Sequence, residues 1–277
     1  MGWLVFSNLF VALCGAALTA ATYPLLGQSP RIDAPVVLVF LGTLATYNLD
    51  RLVEPSPGQT DHERWVERHR KPLWVLTVLA GVGCLVSLPW LDGRVLVSLL
   101  VAATLSIGYC IPVYRLRGRW HRLKAVPGAK LFLIAGVWTY ATAILPLLQS
   151  PVTPETDVMA VVVAGRLLFI LGVALPFDLP DMARDRAAGI VTLPQRYGYD
   201  GTRLLGRLLI AGFGVLSALG PWPMMAALLV SAAVSFALLN ALGPKRGVVY
   251  YELLLDGLLL VQAGLILVTW AGMSGVV

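Results

Sequence analysis

Long apolar segments recur along the whole chain, and they limit its fold more than any other feature of the sequence. Hydrophobic residues make up 58% of the 277 residues, whereas charged residues make up only 13%. Soluble domains carry about 25% charged residues, so this composition excludes an ordinary soluble domain. The apolar segments are about 20 residues long, which is the length of a helix that crosses a bilayer, and a transmembrane β-barrel is therefore not expected.

Nine transmembrane helices are predicted, in one all-α membrane domain over residues 1–277. The apolar segments cover approximately residues 3–26, 35–52, 73–91, 95–113, 126–147, 158–177, 203–219, 223–242 and 249–271. The first segment lacks a basic n-region and a clear cleavage site, so we interpret it as a transmembrane helix and not as a signal peptide. The longest connections, at about 53–72, 114–125 and 178–202, are predicted loops. Within the first, residues 61–70 are rich in helix formers and are predicted to form a short helix.

Basic residues fall almost entirely on one side of this predicted bundle. Of the 21 Lys and Arg residues, all but Arg31, Arg94 and Arg166 lie in or beside the connections that follow even-numbered helices. The positive-inside rule makes that side cytoplasmic, with the N-terminus inside and the C-terminus outside. We therefore expect an integral membrane protein, in the plasma membrane if the source is prokaryotic. The net charge of +6 then requires no nucleic-acid partner. His62, in the first basic connection, is expected to be solvated.

Three carboxylates follow the sixth apolar segment. Asp178, Asp181 and Asp185 are three, four and seven residues apart, so they share one face if the segment is helical. Pro180 is well placed to start a new helix there. Three like charges repel each other unless a multivalent cation lies among them, and carboxylate oxygens suit Mg²⁺. The spacing therefore predicts a cation site at a helix end.

A second acidic group follows the second apolar segment. Asp50 and Glu54 are four residues apart, about one helical turn, so both can face one cation. Carboxylates at the end of an apolar helix are energetically expensive, which favours a functional role. Because each half of the chain places acidic residues at a cytoplasmic helix end, the pattern suggests an internal repeat.

The segment 178–194, DLPDMARDRAAGIVTLP, resembles the second aspartate-rich motif of the UbiA superfamily of intramembrane prenyltransferases. That motif has the form DxxDxxxDxxxGxxTLP, and every fixed position is present here. The family's first motif is NDxxDxxxD. Thr46 and Tyr47 stand where it has Asn and its first Asp, while Asp50 and Glu54 stand at its last two acidic positions. The nine predicted helices, with both acidic groups after even-numbered ones, also look like this family.

The resemblance implies a helical bundle around a central cavity that ionises a prenyl diphosphate with Mg²⁺ and transfers the prenyl group to an aromatic or other lipophilic acceptor. Asp181 and Asp185 are expected to bind one Mg²⁺, with Asp178 assisting. Asp50 and Glu54 are expected to bind the other. The expected partners are thus a prenyl diphosphate, a lipophilic acceptor and the lipid bilayer, and no obligatory protein partner is evident.

Basic and aromatic side chains near the cytoplasmic helix ends are the candidates for binding substrate. Arg and Lys would contact diphosphate oxygens, and aromatic faces would stabilise a carbocation. The candidate substrate-binding residues are Tyr47, Asn48, Arg70, Lys71, Tyr109, Arg115, Lys124, Lys130 and Arg186. Further aromatic candidates are Tyr114, Phe132, Trp138 and Phe177.

Two other functions fit the same residues. A terpene cyclase would use the same acidic groups, and the altered first motif permits one. A transporter or lipid-binding membrane protein would hold cations in transit, but its site would be expected nearer the bilayer midplane. Glu252 and Asp256, four residues apart near the start of the ninth helix, either contribute to an acceptor pocket or pair with a neighbouring helix.

Overall fold

Helices account for most of the computed structural model, which describes residues 2–53, 60–116, 118–152, 154–187, 189–220, 224–244, 246–247 and 249–275. The α-helices are α1 (Gly2–Phe6), α2 (Leu9–Ala20), α3 (Thr22–Leu25), α4 (Ala34–Val53), α5 (Asp61–Arg68), α6 (Arg70–Ser87), α7 (Gly93–Cys110), α8 (Ala129–Thr139), α9 (Leu145–Leu148), α10 (Thr156–Ala174), α11 (Asp178–Ala187), α12 (Leu193–Ser217), α13 (Met224–Asn240) and α14 (Asp256–Ser274). The 3₁₀ turns are Leu88–Trp90, Leu123–Ala125 and Leu175–Phe177, and the π-helical segments are Tyr140–Ile144 and Val249–Leu255.

The helices agree with the predicted membrane protein. Within the described residues, the segments long and apolar enough to cross a bilayer are Ala34–Val53, Arg70–Trp90, Gly93–Cys110, Ala129–Leu148, Thr156–Ala183 and Val249–Ser274. Leu9–Leu25 and Met224–Asn240 are apolar but shorter. Every predicted transmembrane segment overlaps a helix, and the chain is an integral membrane protein of helical type. The number of nine crossings stays a prediction.

The long helices pack in a closed ring. Around it, α2 contacts α4, α4 contacts α7, and α8 follows, then α10, α12, α13 and α14, which returns to α2. α6 packs on α4. Side chains buried between these helices include Phe169, Ile210 and Ile266, whereas Val97 and Val268 are about three-quarters exposed on apolar outer faces. Such an apolar exterior suits hydrocarbon, and the ring leaves space inside for a cavity.

One feature departs from the all-α prediction. In the connection predicted as a loop over 114–125, strand β1 (Tyr114–Leu116) pairs antiparallel with β2 (Arg119–His121), with Tyr114 opposite His121. Gly118 adopts a φ of 81° at the turn, a conformation that glycine takes without steric cost. Alternating long side chains on either side of this glycine favour a hairpin over an irregular loop.

The predicted loop over 178–202 is largely helical. α10 passes through the turn Leu175–Phe177 directly into α11. Pro180 lies in the first turn of α11, where no intrahelical partner is required for the missing N–H, so it is tolerated and does not itself begin the helix. α12 begins at Leu193, earlier than predicted, with Pro194 in its first turn and a kink at Gly198.

The short helix predicted within 61–70 is present as α5. The Thr60 hydroxyl accepts a hydrogen bond from the Glu63 N–H at 3.1 Å, and the Glu63 carboxylate accepts one from the Thr60 N–H at 3.1 Å. This capping box satisfies two donors at the helix start. The prediction of a solvated His62 is wrong: His62 is 6% exposed, because α5 packs against α1.

Candidate active site

A cavity of about 270 Å³ lies within the helical ring and receives carboxylates from distant parts of the chain. The aspartates that line it are Asp50, Asp178, Asp181, Asp185 and Asp256. Apolar side chains from α2, α8, α10 and α14 form much of the remaining wall. The two predicted acidic groups therefore open on the same space, apart from Glu54, which lies outside the described residues.

The second acidic group is organised around a buried lysine. The Lys130 Nζ, in the first turn of α8, lies 2.8 Å from Asp178 Oδ1 and 2.9 Å from Asp185 Oδ2. Both carboxylate side chains are nearly buried, at 6% and 7% exposure. Asp181 lies between them in sequence and lines the cavity. Asp178 and Asp185 thus converge on one ammonium group, and all three aspartates line the same cavity.

Backbone contacts hold this arrangement in place. α11 ends where Gly189 adopts a φ of 73°, and the Ile190 N–H donates to the Asp185 carbonyl at 2.8 Å. The Gly128 N–H donates to the Val191 carbonyl at 3.1 Å, which ties the start of α8 to the segment after the acidic helix. A glycine is therefore favoured at position 189, because the turn that ends α11 after Asp185 requires a residue with a left-handed backbone conformation.

The first acidic group has its own lysine. The Lys124 Nζ donates to Asp50 Oδ1 at 2.9 Å, and the Arg122 guanidinium lies 4.0 Å from the same oxygen. The Lys124 Nζ also lies 5.2 Å from the centre of the Tyr109 ring. Lys124 and Lys130 both line the cavity, so an ammonium group lies next to each acidic group in the cavity wall.

The carboxylates of the cavity supply oxygen atoms, the ligands that Mg²⁺ prefers. Within the described parts of the chain, no group of three or more His, Cys, Asp and Glu side chains is arranged to hold a metal ion. Asp178 and Asp185 nevertheless direct oxygen atoms at a single cation, the Lys130 ammonium. Mg²⁺ commonly binds one or two carboxylates and takes its other ligands from water and substrate phosphates. The donor chemistry therefore fits Mg²⁺ if phosphate completes the coordination.

Aromatic side chains line the cavity next to the acidic groups. Trp138 Nε1 donates to the Tyr47 hydroxyl at 3.0 Å, and the two rings meet edge to face with centroids 6.3 Å apart. Tyr109 and Phe177 also line the cavity. Of the other aromatic candidates, Phe132 is 60% exposed, and Tyr114 lies in the hairpin, stacked on His121.

Five predicted substrate-binding residues do not line this cavity. Asn48 is 1% exposed; its carbonyl oxygen accepts from Asn8 at 2.9 Å and its amide donates to the Ser7 carbonyl at 3.1 Å, because the helix turns it away from Asp50. The other four have exposed side chains: Arg70, Lys71, Arg115 and Arg186. The Arg70 guanidinium donates to the Leu52 carbonyl at 2.8 Å, and Arg115 Nε donates to the Gly118 carbonyl at 3.4 Å.

Other polar residues line the cavity that the motifs did not indicate. Arg51 and Ser106 contribute to its wall, and so do Glu252 and Asp256, for which the sequence left two roles open. Glu252 also pairs with His62, whose Nδ1 lies 2.7 Å from Glu252 Oε1. The presence of two acids in an apolar segment could have indicated that this segment lines the cavity. The contact with His62 could not be predicted, because His62 lies far away in the sequence.

A comparison with solved structures finds a protein with a similar fold. A digeranylgeranylglyceryl phosphate synthase in membranes superposes with a TM-score of 0.50 at 14% sequence identity, covering 95% of this chain and 92% of that chain. At this identity the similarity establishes the fold alone, and it extends over nearly the whole length of both proteins. No protein-family model matches the chain, and no curated protein matches it.

Proposed function

We propose that this protein is a Mg²⁺-dependent intramembrane prenyltransferase that ionises a prenyl diphosphate and transfers the prenyl group to a lipophilic acceptor. The main support is that carboxylates from two distant segments, represented by Asp50 and Asp185, line one largely apolar cavity together with Lys124 and Lys130. A diphosphate requires cationic partners, whereas a prenyl chain requires apolar walls. One cavity that supplies both suits a molecule with both parts.

The acidic groups would hold the metal. Asp178, Asp181 and Asp185 would together bind one Mg²⁺, and Asp50 would bind another with Glu54. When bound, Mg²⁺ would neutralise the negative charge that grows on the diphosphate as the allylic C–O bond breaks.

The lysines would exchange partners when substrate arrives. Lys130 neutralises Asp178 and Asp185 in the free protein, at 2.8 and 2.9 Å, and Lys124 neutralises Asp50. Once the carboxylates bind metal, each ammonium group is free to donate to a phosphate oxygen. The lysines would therefore keep the carboxylates paired before binding and bind the diphosphate afterwards.

The wall of the cavity would protect the carbocation. Ile134, Val137 and Ile170 contribute apolar surface that excludes water from the reacting carbon. Tyr47 and Trp138 add aromatic rings, which attract a cation through their π faces. The hydrogen bond between these two side chains fixes their relative orientation.

The synthase with a similar fold is named for a lipid that carries geranylgeranyl groups. Geranylgeranyl diphosphate is therefore the first donor to test, followed by the shorter farnesyl diphosphate. The basic connections would keep the diphosphate end of the cavity on the cytoplasmic side, with the N-terminus inside and the C-terminus outside.

The test is a reaction of the purified full-length protein in detergent micelles with radiolabelled geranylgeranyl diphosphate and Mg²⁺. Release of diphosphate and the labelled products would both be measured. Asp185→Asn is expected to lower diphosphate release by about 100-fold, because a transition-state charge partner is lost. Asp200→Asn is the matched control: its side chain is 90% exposed and pairs with Arg203, three residues further along the same helix.

Full diphosphate release by Asp185→Asn, or by the wild type in excess EDTA, would contradict the proposal. A cyclic hydrocarbon formed from the diphosphate without any acceptor would instead identify a terpene cyclase. If the protein neither binds nor turns over either diphosphate in the presence of Mg²⁺, the non-enzymatic transporter or lipid-binding alternative gains support.

A further inference from the structure

Two acids in the cavity wall have no part in the proposed ionisation. Glu252 lies in the π-helical segment Val249–Leu255, and Asp256 begins α14 directly after it. Both side chains line the cavity. Within the part of the chain that the structure describes, the Asp256 carboxylate has neither a hydrogen bond nor an ion pair. An unpaired acid inside a membrane protein is costly, and such residues usually have a function.

Glu252 connects this part of the wall with a buried histidine. His62 Nδ1 lies 2.7 Å from Glu252 Oε1, and the imidazole stacks on Phe6 with ring centroids 4.7 Å apart. The other ring nitrogen, His62 Nε2, is buried without a hydrogen-bond partner among the described residues, and so is Glu252 Oε2. Each of these groups therefore retains a free position that can take up or release a proton.

His62 lies on α5, a helix with one face packed on the bundle and the other exposed to solvent. α5 exposes its other face, where the side chains of Asp61 and Arg64 are 82% and 54% exposed. The capping box at Thr60 and the packing of α5 on α1 hold His62 against the bundle. Asp256 and Glu252 thus line the cavity together, and Glu252 contacts His62, which lies beneath a solvated helix.

We propose that Asp256 accepts the proton that the acceptor loses on prenylation, and that Glu252 and His62 carry it toward the cytoplasmic surface. This inference rests on the proposed function. The C–O bond of the prenyl diphosphate breaks and its electron pair leaves with diphosphate, the prenyl carbon bonds to the acceptor, and the acceptor's proton passes to Asp256. The acceptor class is a compound that must release a proton, such as an alcohol or a phenol.

Other titratable groups face Asp256 from the packed helices. Among the described residues they include Cys14 of α2 and Tyr47 of α4, besides Glu252 on its own segment. Cys14 is fully buried, and the Tyr47 hydroxyl already accepts a hydrogen bond from Trp138. The carboxylate of Asp256 is therefore the group best suited to act as a base in this part of the cavity.

The test separates ionisation from proton removal. Full-length protein would react with labelled geranylgeranyl diphosphate and Mg²⁺, with hexadecylglyceryl phosphate or p-cresol as the acceptor probe, or with no acceptor. Diphosphate release, prenylated probe, hydrocarbon and prenyl alcohol would be quantified. Asp256→Asn is expected to form about 100-fold less prenylated probe and hydrocarbon, whereas diphosphate release changes by less than about threefold and prenyl alcohol accumulates. Asp256→Glu should recover most of the transfer.

His62→Gln should lower transfer by about tenfold without changing diphosphate release. His121→Gln, in the hairpin, is the control for loss of a histidine. If Asp256→Asn does not fold, wild-type protein in D₂O still tests the inference, since transfer should slow by about twofold relative to diphosphate release.

Equal losses of transfer and diphosphate release in Asp256→Asn would overturn the relay and leave the proposed function standing. Unchanged transfer in that variant would also overturn it. If wild-type protein releases no diphosphate from either prenyl diphosphate, the proposed function fails and the relay fails with it.

Discussion

The two acidic groups of the cavity face the same space but differ in how they are held. The Asp50 side chain is 22% exposed and has Lys124 at 2.9 Å, with Arg122 more distant at 4.0 Å. The Asp178 and Asp185 side chains are 6% and 7% exposed and share the ammonium of Lys130. One group is thus partly solvated with two basic neighbours, and the other is buried with two carboxylates on one cation.

This difference indicates which group depends more on a cation. Two carboxylates held close together in a buried site repel each other strongly, because little solvent screens them. Under the proposed function, the pair Asp178 and Asp185 would therefore bind a divalent ion more strongly than Asp50, which is screened by water and by basic side chains.

The largest expected effect is on turnover. Asp178→Asn should lower prenyl diphosphate ionisation by about 100-fold or more, because it removes half of the buried carboxylate pair. Asp50→Asn should lower it by about tenfold, since its site is partly solvated. Diphosphate release at saturating Mg²⁺ measures both. Equal losses in the two variants would remove the proposed ranking of the two sites.

The next effect is on stability. Lys130→Met leaves two buried carboxylates without their shared cation and should destabilise the protein by about 3 kcal/mol. Lys124→Met should cost about 1 kcal/mol, since Asp50 retains solvent and Arg122. Thermal unfolding in detergent, with and without Mg²⁺, checks this. Mg²⁺ should restore the melting temperature of Lys130→Met more than that of Lys124→Met, and no such rescue would argue against a metal at the buried pair.

A smaller effect concerns the turn that closes α11. Gly189→Ala should destabilise the protein by about 1 kcal/mol, because alanine is strained at a φ of 73°. Gly136→Ala is the matched control, since Gly136 lies within α8 with no atom within 4 Å of the added methyl group, and it should be neutral or slightly stabilising. Chemical unfolding of both variants measures the difference. A neutral Gly189→Ala would mean that the turn tolerates a side chain.

Asn48 lies two residues before Asp50 on α4, but we expect it to affect stability and not substrate binding. Asn48→Ala should lower stability by about 2 kcal/mol, because it leaves the Asn8 amide and the Ser7 carbonyl without their buried partner. The KM for prenyl diphosphate should stay within about twofold, since Asn48 does not line the cavity. A large rise in KM with unchanged stability would return Asn48 to the substrate site.

The smallest expected effect is at the exposed basic residues. Arg115→Ala and Arg186→Ala should each change ionisation by less than about threefold, since exposed charges contribute little. Steady-state diphosphate release at low and high ionic strength tests both variants. A loss comparable to that in Asp50→Asn would show that these loops close over the substrate.

Local patterns of the sequence were sufficient for several features of this protein. Apolar segments of bilayer length predicted the helices, and acids spaced by three and four residues predicted a shared face on α11. The capping box before α5 also depends only on neighbouring residues. Such features are local, because helix length, capping and side-chain direction follow from the chain within one or two turns.

Contacts between distant segments could not be predicted from local sequence patterns. Lys130 between Asp178 and Asp185, His62 against Glu252, and the inward placement of Asp256 all depend on the order of helices around the ring. In a membrane protein, lipid-facing and core-facing side chains are both apolar, so hydrophobic pattern says little about which helix face meets which neighbour. Helix packing alone places these charged groups beside one another, and burial then leaves each dependent on its partner.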